Sequence, residues 1–386
     1  MKPISKWGVF ALLLTSSLTI MVGTVIAPSL TVIAAHLKFS SGPGWLVTLP
    51  SLGVVLFAPV AGRWIDRKGA YRVMCWGLVP YALLGLAGAA LPNPYLLIAD
   101  RLLLGAATAA IQASGTSLIA ELFEGKKRMQ MIAWQGMAIE LGGVLFLSIG
   151  GLLGEHTWYY PFFIYLIALL CLLLLTWHVP ESPAPVRRHT LSTQKEIISQ
   201  KVLAMVACSA FAMILFFVAF VGLPLFLPYS FHFSQSYTGY FMALISLIAV
   251  GAASQMPKAA GKIGNWQTLA LGFVFLMTGL FLFYLSGSLP ALLLAALAMG
   301  GGFGFTVPLL NHMVVEESSA LNRGRNLGYY SMGIFGGQFF SSFITELSGD
   351  VRRTFLWAAL LALLVALAIF LRFRVAINSS GQLDHK

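Results

Sequence analysis

Along the chain, hydrophobic and polar positions alternate in blocks: apolar runs of about twenty residues, the length a helix needs to cross a bilayer, are separated by short polar breaks. Twelve such runs stand out, at 7–33, 44–62, 72–91, 95–122, 131–153, 159–178, 202–229, 237–257, 266–286, 290–315, 326–347 and 353–372. They predict an all-α membrane protein with twelve transmembrane helices. Turn and anchor residues mark the breaks: Gly42, Pro43 and Gly44, then Pro92, Asn93 and Pro94, then Trp158, Tyr159 and Tyr160. Aromatic residues of the last kind favour membrane interfaces. Lys2 and Lys6 precede the first run as they would in a signal peptide. That run is too long for one, lacks a small-residue cleavage site and leads into further spans, so it reads as the first helix.

One break is longer. Residues 179–201 are rich in proline, serine and basic residues and cannot bury a core, so they predict a linker with a short surface helix near its end. It separates an N-terminal six-helix bundle (1–178) from a C-terminal one (202–386). The halves look repeated at an offset of about 195: Phe39-Ser40 matches Phe233-Ser234, Gly105 falls on Gly301, Glu121 on Glu317, and Gly142-Gly143 on Gly336-Gly337.

Composition agrees with the block pattern. The 386 residues are 58% hydrophobic and 10% charged, against about 25% charged in soluble domains. A net charge of +11 raises nucleic acid as a partner, but the basic residues sit in short breaks, where they act as topology signals and contacts to anionic membrane lipid. With the N-terminus inside, 20 of the 24 Lys and Arg lie in cytoplasmic segments and Lys38, Arg352 and Arg353 lie opposite. This predicts a multi-pass protein of the inner membrane with both termini cytoplasmic. Cys75, Cys171 and Cys208 are scattered through apolar runs, so they read as small core residues, and no metal site or cofactor is expected.

The stretch Gly62 to Arg72, G-R-W-I-D-R-K-G-A-Y-R, holds four of the 24 basic residues and one of the 13 acidic ones between two apolar runs. Buried in lipid, each charge would cost several kcal/mol, so the stretch predicts a short surface turn, bent at its glycines. Its spacing resembles the signature loop of major facilitator superfamily transporters. The resemblance, with the halved topology, implies that superfamily's fold over essentially the whole chain and transport by rocking the halves about a midplane site. It further implies a gating role for Gly62, Asp66, Arg67, Gly69 and Arg72. Asp66 would latch onto the start of span eleven near Arg325 and Asn326, with Gly62 and Gly69 allowing close approach. The twin stretch in the second half, Pro257 to Asn265, has Gly261 where the aspartate would be, so the latch is one-sided.

Intramembrane charges carry the remaining chemistry. Asp100 and Arg101 lie about 10 Å inside the outer end of span four and point about 100° apart, so they are not expected simply to neutralise each other. The alternative for Asp100 is a solvated cap near the interface. Arg101, followed by Gly105 and Ala109-Ala110, resembles the superfamily's span-four motif, whose arginine is linked to proton coupling. Glu140 in span five lies near the midplane, as a proton site requires, and a pair with Arg101 is expected; the competing reading is a structural ion pair. Span five departs from the drug–proton antiporter pattern: Phe146 and Leu147 stand where a glycine-proline pair is usual. Span one, Thr24 to Ala34, resembles that of twelve-helix drug exporters.

Neutral residues complete a candidate cavity for an amphipathic solute: Gln112, Trp134 and Gln135 in the first half, Asn311, Tyr329, Tyr330 and Gln338 in the second. His312 reads as a hydrogen-bonded packing residue, Glu316 and Glu317 as capped or solvated. Gly300, Gly301, Gly302, Gly304 and Pro308 suggest a flexible gating helix. The expected function is secondary transport, coupled to protons, exporting a small organic molecule such as a drug or a secreted siderophore, with a monomer as the working unit. Uptake by proton symport is the alternative. A membrane-embedded enzyme or sensor is disfavoured, since no nucleophile, histidine-carboxylate or metal pattern occurs.

Overall fold

The computed structural model describes residues 4–39, 42–91, 93–181, 198–319 and 322–381, with side chains as far as Leu371. Twelve long helical segments occur among them. In the first half these are α1 (Lys6–His36), α2 (Trp45–Lys68), α3 (Ala70–Ala87), α4 (Pro94–Leu122), α5 (Gly125–His156) and α6 (Tyr160–His178). The second half has α7 (Gln200–Phe231), α8 (Gln235–Ile263), α9 (Asn265–Leu285), α10 (Leu289–Glu316), α11 (Arg323–Leu347) and α12 (Val351–Gly381). Two are interrupted by 3-10 turns, α1 at Ala27–Ser29 and α6 at Ile164–Leu166. At the first, Pro28 has no N–H to continue the helix. Eleven are long and apolar enough to cross a membrane. The exception is α11, whose Gly, Ser, Gln and Asn residues lower its mean hydropathy.

Several helices overrun their apolar runs. The second extends from the expected residue 62 to Lys68, the fifth begins at Gly125 rather than 131, and the eighth continues from 257 to Ile263. Charged side chains at these ends reach water while the backbone stays helical, so hydropathy marks the lipid boundary and not the helix boundary. The stretch Gly62 to Arg72 is therefore not a loop. Only Gly69 separates α2 from α3, at φ 86° and ψ 149°, a conformation essentially confined to glycine. Gly264 makes the equivalent link between α8 and α9 at φ 93°.

Contacts divide the chain into two compact units. The first comprises Met1–Glu196 and Leu227–Ala243, the second Ile197–Phe226 and Leu244–Lys386. The tips of α7 and α8 thus belong with the first six helices. Of the expected linker, residues 182–197 lie outside the described residues, and the expected surface helix falls there; α7 begins at Gln200. Ser40 and Lys2 lie outside them as well, as does Pro92.

The internal repeat recurs in the packing, at an offset of 195. In the first unit a Cβ on Gly77 would lie 3.2 Å from Ala110 Cβ, and in the second a Cβ on Gly272 would lie 3.2 Å from the Phe305 carbonyl carbon. A Cβ on Gly105 would collide with the Pro50 carbonyl oxygen of α2, and one on Gly300 would lie 2.6 Å from the Ile245 carbonyl oxygen of α8. Gly142 packs on Ser17 of α1, Gly337 on Ala210 and Met213 of α7. The partner of Gly105 is thus Gly300 and not Gly301, which has only the Phe275 ring 3.9 Å away. Gly300, Gly302 and Gly304 let α8 and α9 approach α10, which is a continuous helix through Pro308. Close packing accounts for these three glycines.

Candidate functional site

The first unit holds a buried ion pair. Both Nε and Nη2 of Arg101 donate to Asp100 Oδ2, at 2.9 and 2.6 Å, and Nη2 also donates to the Leu84 carbonyl at 3.1 Å. The side chains are 1% and 4% exposed. The expectation that the two would not neutralise each other is corrected: a 100° separation on the helix is spanned because the long arginine folds back over its neighbour. Asp100 is not a solvated cap either.

Small residues at the end of α3 and just past it make the space. A Cβ at Gly88 would collide with the Arg101 guanidinium, and one at Gly85 would enter the Tyr165 ring. The Phe162 ring lies 5.8 Å from the guanidinium carbon. Tyr81 and Tyr165, their rings 5.7 Å apart, donate to carbonyls one turn apart on α1, Leu18 at 2.6 Å and Val22 at 2.7 Å. Sequence reading missed this shell, although two tyrosines within apolar runs must find acceptors. Asp100 Oδ1 and Arg101 Nη1 are left buried without partners, an expensive arrangement. The second unit avoids it: 195 residues on, Ala295 and Ala296 replace the pair and Phe283 replaces Gly88, all fully buried. The fold can therefore be built without this charge.

Glu140 stands apart. It lies at the midpoint of the 32-residue α5, half-buried, and makes no hydrogen bond or ion pair among the described residues. The expected pair with Arg101 does not form in this state, because the guanidinium is held by Asp100 and Leu84. One turn before Glu140, a Cβ on Gly136 would meet nothing within 4 Å; one turn later, Gly143 meets Ile20 at 3.7 Å. Gly136 is exposed and Gly143 buried, so α5 is open one turn before Glu140 and packed on α1 one turn after it.

The cavity candidates divide by exposure. Trp134 and Asn311 are exposed, and Gln112 and Tyr329 are half-buried. Gln135, Tyr330 and Gln338 are buried within their own units. Gln135 donates to Ser16 Oγ at 3.1 Å, and Tyr330 donates to the Val307 carbonyl at 2.8 Å. His312 is exposed rather than packed, and it pairs with Glu316 at 3.2 Å; Glu317 pairs with Lys201 at 3.4 Å.

Around Gly69, Asp66 and Arg67 are exposed, and Asp66 makes no ion pair among the described residues. Arg72 bonds Glu181, just past α6, at 2.7 Å. Gly62 has nothing within 4 Å of a Cβ, so the close approach expected there is absent. Asn326, at the start of α11, donates to Ser318 Oγ at 2.9 Å.

Twelve long helices, eleven of them long and apolar enough to cross a membrane, with charges buried inside the first unit, define a polytopic membrane protein. A family profile described as Major Facilitator Superfamily matches residues 12–342, and the chain belongs to that superfamily. It is 24% identical over 368 residues to Multidrug resistance protein 2 of Bacillus subtilis, covering 90% of each chain. It is 25% identical to the class D tetracycline resistance protein of Salmonella ordonez, covering 85% of this chain and 87% of that one. Among solved structures, a D-xylose-proton symporter superposes with a TM-score of 0.75 at 20% identity, covering 94% of this chain and 95% of the symporter. Proteins of this superfamily are transporters, and this protein is a transporter and not an enzyme.

Proposed function

We propose that the protein is a proton-coupled exporter of small amphipathic organic molecules. The observation that carries this reading is Glu140, a carboxylate without a partner halfway along a membrane-spanning helix. A carboxylate so placed is costly to keep charged and exists where a proton or a cationic group is exchanged. The curated relatives, named for multidrug and tetracycline resistance, support export and an amphipathic cargo.

In the proposed cycle Glu140 takes a proton from one side of the membrane and releases it to the other as substrate comes and goes. The Arg101–Asp100 pair is the second charged element: its unpartnered Arg101 Nη1 is available to a carboxylate when α5 shifts. Trp134, Asn311, Gln112 and Tyr329 offer substrate contacts, and Gln135, Tyr330 and Gln338 hold helices together behind them. Asp66, exposed and without an ion pair here, is proposed to latch in another state of the cycle, with Gly69 and the Arg72–Glu181 pair fixing the α2–α3 corner. The halves 1–178 and 202–386, joined by 179–201, move as bodies. In this reading the basic helix ends face the cytoplasm, as the positive-inside rule favours, the protein lies in the inner membrane with both termini inside, and the monomer is the working unit.

Expression in a bacterium lacking its major drug exporters tests the reading with a panel of amphipathic dyes and antibiotics, tetracycline included. Lower accumulation of at least one compound, restored by a protonophore, is expected. Unchanged accumulation across the panel, or export indifferent to the protonophore, overturns it.

A further inference from the structure

The tip of the α7–α8 hairpin, Leu227–Ala243, belongs to the first unit although the rest of both helices belongs to the second. What holds the tip there is unusual for a permanent joint. The first turns of α8 cross the last turns of α5 backbone to backbone: a Cβ on Gly151 would lie 2.6 Å from the Gln235 carbonyl oxygen and 3.2 Å from Gly239 Cα. From the other side, a Cβ on Gly239 would collide with the Leu147 carbonyl oxygen and lie 3.3 Å from Pro28 Cγ. Gly151, Gly154 and Gly239 bring the backbones together at the crossing.

Polar groups finish it in two ways. Glu155, in the last turn of α5, presents Oε2 to the N-terminus of α8, accepting from Ser234 Oγ at 2.8 Å and from the Ser236 N–H at 3.0 Å. A carboxylate there satisfies an orphan donor of the first helical turn and complements the helix dipole. Behind it lie three oxygens without partners: Ser29 Oγ, Gln235 Oε1 and Thr238 Oγ1. Ser29 and Thr238 are fully buried. Ser29 and Gln235 meet across Gly154, whose Cβ would touch the serine hydroxyl and lie 2.6 Å from Gln235 Oε1. Such groups penalise the closed joint and are relieved when water reaches them.

We infer that this joint is a reversible clasp on the outer end of the molecule, fastened by Glu155. The carboxylate cap holds the α8 tip against α1 and α5 in the state seen here. The glycines let the two backbones meet directly, and the unpartnered oxygens lower the cost of opening. The inference needs the orientation proposed above but neither a substrate nor a proton, so its failure is separable from that of the exporter reading. Labelling in inside-out vesicles checks the orientation by itself.

The test places a cysteine at the buried Thr238 and follows its reaction with a membrane-impermeant maleimide added outside intact cells, corrected for protein carrying only the native cysteines. T238C alone is expected to react slowly. T238C/E155A is expected to react about tenfold faster, a shift of about 1.4 kcal/mol in the opening equilibrium, and T238C/G151V, with bulk at the crossing, should also be faster. Equal rates in all three proteins, or rapid reaction of T238C alone, would overturn the clasp.

Discussion

At the scale of single residues, the comparison between Arg101 and its counterpart Ala296 is the most informative. Both are buried at the same register of related helices, yet one position carries a charge whose partner, Asp100, is equally buried. Removing only the arginine strands that carboxylate, so Arg101→Ala should cost about 3–5 kcal/mol, visible as a lower thermal unfolding midpoint in detergent. The triple change Asp100→Ala, Arg101→Ala, Gly88→Phe copies the second unit's apolar solution and should recover most of that loss while transport remains abolished. Recovery of transport with stability would make the pair a packing device only. Both charges could be read from the sequence as intramembrane and important, but their mutual pairing could not. It depends on the space left by Gly85 and Gly88 on another helix, and no pattern within α4 reports that.

At the scale of helices and their links, glycines do different jobs that look alike in one dimension. Gly62 and Gly69 belong to the same motif, but Gly69 holds φ at 86° whereas a side chain at Gly62 would meet open space. Gly69→Ala should therefore destabilise the α2–α3 corner by about 1–3 kcal/mol. Gly62→Ala should be neutral or stabilising by up to about 1 kcal/mol; thermal unfolding separates the two. In the same way Gly105→Ala should be damaging, because Pro50 presents backbone to it, and Gly301→Ala should be tolerated, with only the Phe275 ring at 3.9 Å. Equal effects in either pair would contradict the packing. The number of helices and the twofold repeat were legible because lipid imposes long apolar runs and duplicated packing preserves small residues. The helix ends were not. Lys68, Lys126 and Lys262 continue helices into water, where hydropathy falls but hydrogen bonding persists, and α11 begins at Arg323, three residues before its expected run at 326–347.

At the scale of the whole molecule, the chain forms two compact units, and only the first carries a buried ion pair among the described residues. The central claim is that Glu140 exchanges a proton in step with cargo. It is tested most directly in proteoliposomes holding the purified protein, with an imposed pH gradient and flux of an exported compound as the readout. Wild type should move cargo against its gradient. Glu140→Gln, which keeps the shape of the side chain, should lose the pH-driven movement and retain at most exchange down the cargo's own gradient. Asp66→Asn should slow transport without uncoupling it. Proton-driven uphill flux of undiminished size in Glu140→Gln would contradict the account.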